Sequence, residues 1–198
     1  MKVTDIKLGT EPEGIDIGLL SNQIILSPDG KETPISEILQ KINYSIPTVS
    51  IKATNIDSTS DLIPLLGKLN EHLMFTSLEL SSQDYDSRVT KLCKSITLQL
   101  TTNLLSNTSP LIIYANPRTD HPLINFLNDY RTKQIKCTLS DLKHFDSILK
   151  SLEILHDRSR LPIVITPTNK TLYKNIKEHL IKEKIGYIRL ILPQYNGV

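Results

Sequence analysis

Apolar residues along this chain fall into short β-branched or aliphatic runs, and each run is followed by a stretch in which they return every three or four positions. The runs predict strands at 22–27 (NQIILS), 48–52 (TVSIK), 76–80 (TSLEL), 95–100 (SITLQL), 110–114 (PLIIY), 134–139 (QIKCTL), 162–166 (PIVIT) and 187–192 (YIRLIL). The stretches between them have readable helix starts. Thr33 is placed to cap and Pro34 to occupy the first helical position, with Ile35, Ile38, Leu39 and Ile42 facing inward. A second helix starts near Ser58 to Ser60 and buries Leu62, Leu65, Leu66, Leu69 and Leu73. Asp120 or His121 before Pro122 opens a third, with Leu123, Phe126, Leu127 and Tyr130 inward; Ser140 and Asp141 open a fourth, with Phe145, Ile148, Leu149, Leu152 and Leu155 inward. In 84–110 the periodicity is mixed, and a helix to about Lys94 followed by a strand is expected.

Strand then helix, repeated without a long polar linker or low-complexity tract, predicts a parallel α/β architecture in a single domain covering 1–198. An incomplete or small β/α barrel is expected, because no reversal of strand order can be read and no glycine-rich turn follows the first strand. The working face would then be the carboxyl ends of the strands: Ser27 to Asp29, Lys52 to Asn55, Glu79 to Ser82, Ala115 to Pro117, Ser140 and Asp141, Thr166 to Thr168, and Pro193 to Tyr195.

Composition narrows the picture mainly by exclusion. With 39% apolar and 22% charged residues over 198 positions, one core is affordable, and no window reaches the apolar length of a membrane span. The N-terminus lacks the pattern of a secretory signal, so a cytoplasmic protein is expected. A net charge of +2 gives no general attraction to nucleic acid. The lysines concentrated in 170–184 alternate with Leu172, Ile176 and Leu180, the pattern of an amphipathic helix with a solvated basic face. Asn43, Asn107 and Asn169 stand in glycosylation-type triplets, which carry little meaning without an export signal.

Little in the residue types announces a reaction. The five histidines (72, 121, 144, 156 and 179) fall mostly on predicted helices, without the pair spacing of a zinc site. Cys93 and Cys137 are far apart and have no second ligand at metal spacing. Asp120 with His121 is readable as a helix cap or as an acid/base pair. Glu13, Glu79, Arg189 and Gln194 would converge at the strand-end mouth of a barrel. There Glu79 and Arg189 form an ion pair or a solvated rim, or else they line a pocket for a small polar ligand.

The segment Glu13-Gly14-Ile15-Asp16-Ile17-Gly18 before an apolar strand, the helix opening TPISEILQKI, the unit QIKCTLSDLKHFDSILKSLEIL and the ending KIGYIRLILPQYNGV are collinear features over nearly the whole chain. In these the sequence resembles the 7-carboxy-7-deazaguanine synthases, radical S-adenosylmethionine enzymes of queuosine and archaeosine biosynthesis. The family's Glu-Gly-X-X-X-Gly is matched at Glu13, Gly14 and Gly18, and the Arg and Gln of its last strand at Arg189 and Gln194.

The resemblance implies a Cys-X-X-X-Cys-X-X-Cys loop between the first strand and helix, holding a [4Fe–4S] cluster. Here Asp29 stands where the first cysteine would fall, in Ser-Pro-Asp-Gly, and the helix follows at once. The family's Gly-Gly-Glu-Pro after the second strand is replaced by Lys52-Ala53-Thr54-Asn55, its substrate-carboxylate arginine by Ile25, and its Ser-Pro-Lys by residues near Gln99 to Thr101. The resemblance therefore implies a degenerate homologue: no cluster, no S-adenosylmethionine binding, no metal and no catalytic residue are expected. A candidate pocket of Glu13, Gly14, Asn55, Glu79, Arg189 and Gln194 would take a small polar heterocycle. The implied role is binding, as a homodimer or a heterodimer with an active paralogue. The alternative is an enzyme of deazapurine or pterin metabolism that works without its own cluster or through a shared active site.

Overall fold

The computed structural model describes residues 1–10, 20–53, 56–81, 83–106 and 122–191. Among them the strands are β1 (Lys2–Thr10), β2 (Leu20–Leu26), β3 (Lys31–Glu32), β4 (Thr48–Ala53), β5 (Phe75–Ser81), β6 (Ser95–Leu100), β7 (Thr132–Leu139), β8 (Ile163–Pro167) and β9 (Ile188–Leu190). The helices are α1 (Ile35–Lys41), α2 (Leu62–Glu71), α3 (Ser87–Thr90), α4 (Thr102–Ser106), α5 (Pro122–Asn128), α6 (Phe145–Ser159) and α7 (Lys170–Lys182). One sheet runs β3-β1-β2-β4-β5-β6-β7-β8-β9, parallel from β2 onward and antiparallel at β1. The expected strand at 110–114, with Asp120 and His121, lies outside the described residues.

The expected barrel is, among the described residues, an open sheet. Its ends are β3 and β9, and no pairing joins them. Strand order follows chain order from β4 to β9, and right-handed crossovers in such an order set every connecting helix on the same side. The burial pattern agrees. Ile24, Ile51, Leu78, Leu98, Ile135, Ile163 and Ile188 form one core cluster with the inward residues of the helices, such as Leu66, Phe126, Leu152 and Ile176. Val164, on the opposite face, is only 1% exposed yet stands outside that cluster.

The first strand was not expected. In β1, Lys2, Asp5 and Lys7 interleave with Val3, Ile6 and Leu8, and the charges hide an apolar alternation that is weak to begin with. They are tolerable because the charged ends reach other polar groups: Lys2 Nζ lies 3.1 Å from Asp57 and Lys7 Nζ 3.0 Å from Asp5. β2 then turns back onto β1 through Ser27 to Gly30, closed by the Gly30 amide donating to Ser27 O at 2.9 Å. Only glycine fits at position 30. A Cβ there would lie 2.7 Å from both the Lys2 carbonyl carbon and the Val3 nitrogen. β3 leaves this turn already paired, Lys31 with Val3 and Glu32 with Lys2.

Four helix-end expectations are corrected. Thr33 does not cap α1: Pro34 is the N-cap residue, and the Thr33 hydroxyl donates instead to Lys31 O at 2.9 Å. Leu73 is 90% exposed rather than buried, because α2 ends in a left-handed residue. Leu73 has φ 56°, its amide donates to Asn70 O at 2.9 Å, and the Met74 amide donates to Leu69 O at 3.0 Å. This Schellman turn throws Leu73 outward and gives its inward place to Met74. Tyr130 is 75% exposed because α5 stops at Asn128; its ring instead packs under Arg131, 4.4 Å away. The fourth expected helix, α6, starts at Phe145 rather than near Ser140, since Asp141 is spent on a turn, accepting from the Lys143 amide at 2.7 Å. Its five expected inward residues are all buried.

Candidate functional site on the helix-free face

In β4 to β7 the residues that alternate with the core set point away from the helices, and toward the carboxyl ends they are polar. Register places Lys52 beside Glu79 and Glu79 beside Thr97, then Gln99 beside Lys136, with Val164 between Lys136 and Arg189. Parallel sheets buried on both faces use continuous apolar strands, so this alternation is itself a sign that the second face was built for something other than packing.

Glu79 is the hub. Its Oε2 accepts from Lys136 Nζ at 3.1 Å, and Lys52 Nζ lies 3.8 Å from its Oε1. The Lys136 side chain is only 3% exposed, so this is a sheltered charge pair. An ammonium in such a place requires its carboxylate, since removing one partner strands the other in low dielectric. Around the pair, Gln134 donates to Thr97 Oγ1 at 3.0 Å and Gln99 to Thr138 Oγ1 at 3.3 Å. Three buried polar atoms on this face, Glu79 Oε1, Gln99 Oε1 and Thr166 Oγ1, have no hydrogen-bond partner. Each such group costs about 1–3 kcal/mol when left so, and a polar molecule bound against the face would relieve that cost.

Of the expected pocket residues, Glu79 and Arg189 are both on this face, near the carboxyl ends of β5 and β9. Glu13, Gly14, Asn55 and Gln194 lie outside the described residues. An ion pair between Glu79 and Arg189 is not formed. Three strands separate β5 from β9, Glu79 is engaged by Lys52 and Lys136, and Arg189 is exposed. Sequence reasoning passed over Gln99, Gln134 and Lys136, although the alternation in SITLQL and TKQIKCTL was the signal that could have found them.

A [4Fe–4S] cluster, which the resemblance brings to mind, does not fit the donors present. It requires three thiolates in one short loop. The chain has two cysteines, one after α3 and one on β7, both buried, and burial pushes each thiol up to about 12, well above the range in which thiolates form. The connection from β2 to α1 is occupied by the Gly30 turn and β3. Among the described residues no group of three or more His, Cys, Asp or Glu side chains is placed to hold a metal.

Elsewhere, a groove of about 330 Å³ lies between α7 and β9, lined mainly by apolar residues and flanked by Lys177 and Lys184. It opens on the helix side, away from Glu79. No helix among the described residues is long and apolar enough to cross a membrane.

No protein-family model matches the sequence, and no curated protein matches it. The structure is similar to the crystal structure of QueE from Escherichia coli, a 7-carboxy-7-deazaguanine synthase, with a TM-score of 0.59 and 15% identity over 98% of this chain and 94% of that one. At that identity the likeness establishes a shared fold and nothing finer.

Proposed function

We propose that this chain is a binding protein built on a QueE-like fold, which holds a small polar ligand against the Glu79–Lys136 face and carries out no radical chemistry unaided. The observation that carries the reading is the connection between β2 and α1. Where the resemblance calls for a cluster loop, the chain makes a tight turn in which Gly30 packs on the β1 backbone and Lys31 and Glu32 pair with β1. The sheltered pair and the unpartnered acceptors beside it support ligand binding, because they are costly to the fold and serve no packing purpose.

Under this reading the chain works as a partner, pairing with itself or with an active homologue. Anaerobic reconstitution with iron and sulfide should leave the protein colourless. A brown protein with a full four-iron complement would overturn the proposal in favour of an enzyme. A thermal-shift screen against pterins, deazapurines, nucleotides and S-adenosylmethionine should yield stabilising compounds; a flat response across that panel would remove the ligand from the proposal. Light scattering should report a dimer, either alone or when mixed with the related enzyme from the same cell.

A further inference from the structure

We propose that β9 and the groove beside it dock a partner protein by strand addition, the partner supplying an extended segment in which apolar residues alternate with acidic ones. The groove opens on the helix side, away from Glu79, so the proposal stands whatever the other face binds. Its shape follows from how α7 ends. Lys184 has φ 55°, and the turn it makes lets the Ile185 amide donate to Leu180 O at 2.9 Å, which brings Ile185 back against the helix. Leu180, Ile185, Ile188 and Leu190 then line one trough of about 330 Å³, flanked by Lys177 and Lys184. Ile181 lines it too, yet is 67% exposed.

Beside the trough, β9 ends the sheet of described strands. The Ile191 amide donates to Ile165 O at 3.0 Å, so by alternation Arg189 also turns its backbone toward β8, while Ile188 and Leu190 turn theirs outward. Those outward amides and carbonyls make no hydrogen bond among the described residues. A strand laid along them would drop alternate side chains into the trough and set the others beside Arg189 on the opposite face. Charge decides the occupant. Lys177, Lys184 and Arg189 are exposed, and none forms an ion pair among the described residues. The neighbouring acids are engaged elsewhere, Glu178 with Lys174 at 4.0 Å and Glu183 with Lys182 at 3.9 Å. Glu153 and Asp157 of α6 lie by Tyr187 rather than in the trough. A second copy pairing β9 with β9 about a twofold axis would bring these cations toward their own counterparts, which repels. An acidic segment meets complementary charge instead.

The test uses blocked, fluorescently labelled heptapeptides, Glu-Ile-Glu-Val-Glu-Ile-Glu and its counterpart with lysine for glutamate, titrated into the full chain by anisotropy at two salt concentrations. The acidic peptide should bind about tenfold tighter or better than the basic one, and the preference should shrink as salt rises. N-methylation of one alternate set of its amides should cost about tenfold or more, and of the other set little, because only one edge of an added strand faces β9. Ile181→Asp should weaken the acidic peptide by at least about tenfold. Lys177→Ala with Lys184→Ala should bring the two peptides toward equal affinity, and both variants should keep the parent's melting temperature. Absence of binding by the acidic peptide, equal binding of the two peptides to the parent, or equal losses from both N-methylation patterns overturns the proposal. So does a dimer of this chain alone that Ile181→Asp dissolves, which would assign the edge to a second copy.

Discussion

The two faces of one sheet were built to different specifications. On the covered face, isoleucine and leucine from β2 to β9 pack with helix side chains until hardly any surface is left. On the other face the same strands present lysine, glutamate, glutamine and threonine, some as sheltered as the core but less fully satisfied. The covered face gains stability with every side chain it buries. The open face gives some of it back, which is the trade expected where a surface is kept for recognition.

That contrast is sharpest at neighbouring positions. Leu98→Ala should cost about 2–5 kcal/mol by urea denaturation, because its side chain is wholly buried and the cavity cannot collapse. Gln99→Ala, one residue on, should cost under about 1 kcal/mol and could stabilise, since it removes an unpartnered buried oxygen along with one hydrogen bond. Equal losses at the two sites would dissolve the distinction between the faces.

Glu79→Ala should destabilise by roughly 3 kcal/mol, because it takes from the sheltered Lys136 its hydrogen-bonded carboxylate. The double variant Glu79→Ala with Lys136→Met should recover much of the loss, and a thermodynamic cycle measures the coupling. Strictly additive losses would show that the pair is not sheltered after all.

The covered face has buried polar groups too: Thr76 Oγ1 has no hydrogen-bond partner, whereas Asn22 is well engaged. Asn22 is buried near the start of β2, but its Nδ2 donates to Asn43 O, Ile46 O and Thr48 O, and its Oδ1 accepts the Asn43 amide at 2.8 Å. It ties the chain after α1 to the sheet. Asn22→Ala should cost about 2 kcal/mol and raise hydrogen exchange at 43–48 selectively. Uniform protection in that loop would mean that the side chain does no such anchoring. At the small end, Lys52→Ala should change stability by less than about 0.5 kcal/mol in urea, because its contact with Glu79 is long and half in solvent. A larger loss would mean that Lys52 belongs to the structural pair rather than to the recognition surface.

Much of the covered face was legible in the sequence because hydrophobic periodicity reports burial directly. The runs at 48–52, 76–80, 95–100 and 134–139 fall inside β4 to β7, and Leu62, Leu65, Leu66 and Leu69 line α2 as their spacing demands. β1 was not legible, since its charges break the alternation, and neither was β3, which is two residues long and owes its existence to the turn before it. Leu73 was misplaced because periodicity says nothing of where a left-handed residue ends a helix. The candidate site was legible only in Glu79 and Arg189. What joins Glu79 to Lys136 is register across three strands, and register is a property of the folded sheet that no local pattern records.

Gly30 limits what substitution can do at the turn after β2. A side chain at that position would strike the neighbouring backbone, and the two residues after it are hydrogen-bonded to the first strand. No single substitution therefore gives this turn a side chain at position 30: to carry one, the connection would have to lengthen or the pairing of β3 with β1 give way.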